Sequence, residues 1–213
     1  MHRRAPAATA ALLSLALVTG CGGGSDDDAK GSEPSESASS PASAPAPEES
    51  ETPTDTDFGA PAKGPLVKGD GYTYRMPAAW VNSTKQAKAV QKSIDSAAGE
   101  ATFDDGFRDT VTVNFDRAPG STLDDLEASV PDQLSEQVKK LDMQPHVILE
   151  GVETLHYRGL VVDGPSKYYL EQFTNLDDDS RITIITFSFS PDLPKARRDS
   201  VVNGVLASWK WTS

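Results

Sequence analysis

One thiol, Cys21, closes the run Leu17-Val18-Thr19-Gly20, where a nucleophilic sulfur behind small and β-branched residues is placed for alkylation. The imidazoles of His146 and His156 stand ten residues apart in predicted strands, an even offset that puts them on one sheet face unless a bulge at Gly151 intervenes. Zinc binding or acid/base work needs a third ligand or an oriented partner, and the sequence names neither. A packed or surface histidine is the plainer reading of each. Asp104-Asp105 and Asp177-Asp178-Asp179 offer carboxylates for calcium or hydrolysis, yet both runs fall where turns are expected, and solvated turns account for them. Trp80, Tyr157, Tyr168 and Tyr169 are candidates for a binding surface, with core packing as the alternative. Tyr168 and Tyr169 are adjacent, so in a strand one ring faces each side. Gly-x-Ser-x-Gly elbows, His-Glu-x-x-His pairs, glycine-rich phosphate loops and EF-hand loops do not occur in the sequence. No catalytic residue, metal or cofactor is therefore expected.

The residues before Cys21 determine what its sulfur meets. Arg3 and Arg4 precede the uncharged stretch Ala5 to Val18, the order of a secretory signal. Those 14 residues would span only ~21 Å as a helix against ~30 Å of hydrocarbon, too short to remain as a membrane span. The string Leu17 to Cys21 resembles the lipobox of bacterial lipoproteins. That resemblance implies removal of residues 1–20 as a signal peptide and acylation of Cys21, palmitate among the chains; an ordinary secretory signal with a chance cysteine is the alternative. Arg3-Arg4 raises twin-arginine export, but Ala5-Pro6-Ala7 stand where apolar residues should follow, which favours the general secretory route. Two or three acyl chains anchor stably where one does not. No later segment approaches 18 consecutive apolar residues, so the lipid is the expected attachment, on the extracytoplasmic face of the cell membrane. With the only cysteine acylated, no disulfide can form. In a bacterial chain the triplet Asn82-Ser83-Thr84 carries no glycosylation argument.

Residues 21–65 read as the lipidated cysteine and a disordered tether of Gly, Ser, Pro, Ala, Thr and acids, with too little apolar surface to offset its ordering entropy. From Gly22 to Pro65 there are 10 acids and two bases. An anionic bilayer repels such a chain, which holds the following domain off the surface. Leu66 to Ser213 are 148 residues, one domain with a sizeable core, carrying 22 acids against 16 bases. That balance speaks against nucleic acid as partner.

Within 66–213, Leu66–Lys68 and Tyr72–Met76 read as a hairpin turning at Gly69-Asp70-Gly71, with Trp80 at a core corner after Pro77. Thr84 to Ala98 carries a thin helical stripe, and Thr110 to Asp116 alternates as a strand. Leu123, Leu126, Val130, Leu134, Val138 and Leu141 predict a helix capped at Ser121 or Thr122 and kinked or broken at Pro131. His146–Glu150, Val152–Val162, Ser166–Phe173 and Arg181–Phe189 read as a four-strand meander. Its last strand is apolar on both sides, Ile182 and Ile184 against Ile185, Phe187 and Phe189, so the sheet should be covered on both faces. A closing helix, Leu193 to Ser208, supplies one cover, and the Leu123 helix the other.

This order, with Pro77-Ala78-Ala79-Trp80 after the hairpin and Trp209-Lys210-Trp211 at the end, resembles the PsbP-like fold of the photosystem oxygen-evolving subunit P. Within that fold it is similar to the LpqN-type lipoproteins of actinobacteria. The resemblance spans nearly all of Leu66 to Trp211. It implies an α+β chain, a single α/β/α sandwich whose mainly antiparallel sheet lies under helices on both faces. It also implies a binding or assembly role without a shared catalytic signature, so Cys21 alone carries over as a functional residue. The expectation is a lipid-anchored, non-catalytic adaptor of the cell envelope with another envelope protein as partner. A carrier of a small apolar or glycan ligand in a sheet-helix cleft and an envelope hydrolase are the rivals. An open patch with a polar rim favours the adaptor, a buried apolar pocket the carrier, and convergent perturbed carboxylates the hydrolase.

Overall fold

The computed structural model describes residues 55–164 and 166–212. The signal segment, Cys21 and the tether as far as residue 54 lie outside the described residues. The opening hairpin pairs β1 (Leu66–Lys68) with β2 (Tyr72–Arg75), and Gly71 supplies the left-handed φ of 85° that its turn requires. There follow β3 (Trp80–Asn82), α1 (Thr84–Val90), β4 (Ile94–Glu100), β5 (Thr110–Arg117) and α2 (Leu123–Leu134). The meander is β6 (Val138–Leu149), β7 (Val152–Asp163), β8 (Ser166–Leu176) and β9 (Arg181–Phe189), and the chain ends in α3 (Lys195–Leu206) and β10 (Lys210–Trp211).

Seven strands form one antiparallel sheet in the order β3-β4-β5-β9-β8-β7-β6, while β1, β2 and β10 form a second, small antiparallel sheet. Register sorts the side chains of the large sheet by face. Val111 lies opposite Phe187, and Val113 and Phe173 flank Ile185. This face packs on Val202, Val205 and Leu206 of α3 and on Tyr72, Tyr74 and Trp209. Trp209 stacks on Tyr72 at 4.6 Å, joining the small sheet to the helix. The opposite face presents Leu155, Tyr157, Leu170 and Ile182 to Leu126, Val130 and Leu134 of α2. Both faces are therefore covered, although on one side a helix shares the work with a second sheet, formed when β10 adds to the expected hairpin.

The start of α2 follows from its first turn. Thr122 Oγ1 accepts from the Asp125 backbone N–H at 3.2 Å, and the Asp125 carboxylate accepts from the Thr122 N–H at 2.9 Å, a reciprocal capping box. Pro131 stands inside the helix without ending it.

Three expectations need correction. The helix expected over Thr84–Ala98 stops at Val90, and Ile94–Glu100 is a strand. Ala97 and Ala98, 1% and 0% exposed, lie between β3 and β5, where a full ladder on both sides outweighs their helical propensity. The helix expected to run to Leu141 ends at Leu134. Val138 instead pairs with Val161 on β7 and joins the α2 cluster from the sheet side, so its helical spacing was a coincidence of two elements burying on one core. The tether was expected to run to Pro65, but the chain from Asp55 onward is bound to the domain. The Thr56 N–H donates to Ile148 O at 2.9 Å, the Ile148 N–H to Thr56 Oγ1 at 2.9 Å, and the Gly151 N–H to Asp55 Oδ1 at 2.6 Å. Farther on, the Ala62 N–H donates to Gly204 O at 2.7 Å, and Phe58 packs against the core. A single aromatic and edge-strand hydrogen bonds suffice to order a segment whose composition reads as linker.

Candidate functional site

Between the first turns of α3 and the β6-β7-β8 side of the sheet lies an open cleft of about 190 Å³. Its floor holds Leu160, Tyr169 and Phe189, and its rim is charged. Strand alternation makes this set: Leu160 lies opposite Tyr169 and Arg158 opposite Glu171, all on the α3 face. Helical spacing supplies the other wall, because Lys195, Arg198 and Asp199 fall at i, i+3 and i+4. Lys140 and Asp142 enter from the edge strand. Arg198 holds its guanidinium 4.0 Å from the Tyr169 ring centroid while its Nη1 donates to Leu193 O at 2.6 Å. Each carboxylate in the cleft has a cationic or imidazole partner: Asp142 with Arg158 at 3.3 Å, Asp199 with Lys195 at 2.7 Å, Glu171 with His156 at 2.8 Å.

Of the four candidate aromatics, the structure brings one to this cleft. Tyr169 is half-buried there. Tyr168, 3% exposed, points to the α2 side and stacks on Phe107 at 5.7 Å. Tyr157 is 2% exposed in the same cluster, its hydroxyl accepting from Gln172 Nε2. Trp80, 6% exposed, belongs to the α3-side core. Trp80, Tyr157 and Tyr168 thus take the core-packing alternative rather than a binding surface, and Tyr169 alone of the four stays open to a partner.

The two histidines occupy opposite faces of the sheet. The irregularity that separates them falls between Gln144 and Val147, not at Gly151. His156 faces α3, stacked on Phe173 at 4.3 Å. His146 faces α2, its Nδ1 2.8 Å from Glu153 Oε1 and its Nε2 3.5 Å from Glu127 Oε2. The Glu153 hydrogen bond, with the charges of both glutamates, raises the His146 pKa. A raised imidazole pKa contributes stability in full below its unfolded value, and that contribution is lost as pH rises through the native one. His146→Ala should therefore flatten the decline in urea midpoint above about pH 6.5, by less than about 1 kcal/mol for so open a pair.

The carboxylate runs behave as turns. Asp177 Oδ1 accepts from the Asp179 and Arg181 N–H groups at the β8-β9 turn, and Asp105 Oδ1 accepts from the Phe107 N–H. Sequence reasoning missed Asp109, which is 4% exposed and accepts from the Ser190 N–H at 2.7 Å. Burial pushes its pKa up to about 6, and burial raises the neighbouring Glu100 as well. Its only sequence signal is an acid directly before the alternating strand at Thr110. Asp109 ties the end of β9 to the start of β5 and is not part of the cleft lining. Because its native pKa lies above the unfolded value, stability contributed by this group falls as pH rises from about 4 to about 6; Asp109→Asn, which keeps an acceptor for Ser190, should remove that slope in thermal melts taken across the interval.

Under α2, Leu126, Val130, Leu155, Ile182 and Ile184 line a void of about 30 Å³. That is room for a water rather than an apolar ligand. Among the described residues no three His, Cys, Asp or Glu side chains are grouped to hold a metal ion, and no helix is long and apolar enough to cross a membrane.

Fold and site together define a mixed α/β sandwich of mostly antiparallel sheets with an open, mixed-charge cleft. No protein-family model matches the sequence, and no curated protein matches it. Among solved structures, LpqN of Mycobacterium tuberculosis, described as involved in cell envelope biogenesis, is 12% identical with a TM-score of 0.53 over 70% of this chain and 90% of that one. The chain is LpqN-like in fold. A Bacteroides thetaiotaomicron protein is 6% identical with a TM-score of 0.43 over 67% of this chain, which spans only 46% of that protein's length. A Pseudomonas aeruginosa protein of unknown function is 14% identical with a TM-score of 0.42 over 63% of this chain and 88% of that one. At those scores neither carries weight for fold or function.

Proposed function

We propose that the chain is anchored by lipid on Cys21 at the extracytoplasmic face of the cell membrane and works as a non-catalytic adaptor that docks another envelope protein. The observation that carries the reading is the cleft at Tyr169, open, apolar in its floor and charged at its rim, the arrangement of a docking surface rather than of an enclosed ligand pocket. The LpqN-like fold supports an envelope role, and the order of elements from Pro77 to Trp211 supports the narrower PsbP-like assignment. A hydrolase has less to stand on, because the raised carboxylates Asp109 and Glu100 do not line the cleft. A carrier has less still, given the small void beneath α2.

Two experiments test the parts separately. Cys21→Ala should abolish incorporation of a fatty-acid probe in growing cells, and label persisting on the variant refutes the anchor. Cross-linking in intact cells, with the wild-type chain and Tyr169→Ala compared, should recover an envelope protein whose yield falls severalfold in the variant. Equal recovery from both chains refutes the cleft as the docking surface.

A further inference from the structure

We infer that the cleft recognises an acidic side chain of its partner, presented beside an apolar residue. This rests on the reading of the cleft as the docking surface and adds the chemistry of what enters it. Lys140, Arg158, Lys195 and Arg198 stand against Asp142, Glu171 and Asp199, an excess of one positive charge in a chain of net charge −12. The three carboxylates are already engaged, by Arg158, by Lys195 and by His156. Among the described residues neither Lys140, which is exposed, nor Arg198 makes an ion pair; Arg198 spends one nitrogen on Leu193 O and its face on Tyr169, and its charge is felt by the buried Asp109 without a direct contact. The unmet demand of the cleft is therefore for an anion.

Size narrows the occupant. At about 190 Å³ the cleft lies below the ~300 Å³ at which small-molecule pockets begin, a size suited to a side chain or two of a partner. Composition narrows it again: the half-buried Leu160 and Tyr169 offer apolar contact beside Arg198, so a bare inorganic anion would leave that surface unused. A glutamate or aspartate flanked by an aliphatic or aromatic residue uses both. The chain as a whole is net negative, so the local excess of positive charge favours an acidic segment at this cleft.

The test titrates three probes into the mature chain carrying Cys21→Ser: acetyl-Leu-Glu-amide, acetyl-Leu-Gln-amide and inorganic phosphate, read by amide chemical shifts. The glutamyl peptide should perturb Leu160, Tyr169 and Arg198 and bind about threefold more tightly than the glutaminyl peptide at low salt, an advantage that shrinks at high salt. Lys140→Asn, chosen because asparagine tolerates the left-handed φ of 54° found there, should remove most of the advantage while leaving the remaining spectrum in place. Equal binding of the two peptides, or shifts away from the cleft, overturns the inference. Phosphate matching the glutamyl peptide overturns it as well, in favour of a small-anion site. Loss of Tyr169-dependent capture in cells is a different failure, that of the docking surface itself: a partner captured through Tyr169 with no preference for the acidic probe would leave the adaptor reading intact and remove only the acidic specificity.

Discussion

Tyr168→Ala should lower the unfolding free energy by about 3 to 4 kcal/mol, whereas Tyr169→Ala should cost less than about 1 kcal/mol and weaken partner capture instead. The difference comes from one step along a strand. Tyr168 is 3% exposed among Val130, Leu134, Val138, Tyr157, Val161 and Leu170, and its removal opens a void beneath α2 while stripping Phe107 of its stacking partner. Tyr169 is half-buried at the edge of an existing cleft, so its removal enlarges space that water already enters. What it loses is the Arg198 contact, worth about 0.5 to 1 kcal/mol at a partly exposed site. Urea denaturation reads the contrast: the Tyr168 variant should shift its midpoint at constant slope, and the Tyr169 variant should barely move. Equal shifts in both would mean that the register of β8 places neither ring as described.

How much of this was legible depends on where the signal sits along the chain. The meander was readable because β7, β8 and β9 are runs rich in β-branched and aromatic residues that Asp163-Gly164 and Asp177 to Ser180 punctuate. β4 was not, because Ser96-Ala97-Ala98-Gly99 has the small side chains a tightly flanked strand needs and the composition a helix favours. Gly99 has its own reason, since a Cβ there would come within 2.9 Å of Asp109 O. The first half of β6 was hidden by Val138 and Leu141, which continue the spacing of α2 across a change of element. The cleft was not legible at all beyond Tyr169. Its charges come from β6, β7, β8 and α3, each an ordinary solvated residue in its own segment, and only the pairing of strands brings Lys140 within the same cleft as Arg198. Residue types show a site when one segment carries the chemistry; here tertiary pairing carries it.

The clearest departure from composition is the strap of residues 55–65, and it yields a large, separable effect. A chain begun at Asp55 should match the thermal midpoint of the mature protein, while one begun at Leu66 should be less stable by about 2 to 3 kcal/mol, roughly 6 to 10 °C for a domain of this size. The loss would come from Phe58, which packs on the core, and from the hydrogen bonds at Asp55, Thr56, Ala62, Gly64 and Pro65, which together outweigh the backbone freedom that the cut releases. Phe58→Ala in the longer chain should reproduce about half of the loss, which separates packing from hydrogen bonding. If the Leu66 chain melts with the Asp55 chain, the strap contributes nothing and the domain begins where composition alone placed it. If the loss appears, Ile148 and Gly204 are anchor points of the strap, with Asp55 held beside Gly151 at the β6-β7 turn. Cutting at Leu66 would then remove part of the fold along with the linker.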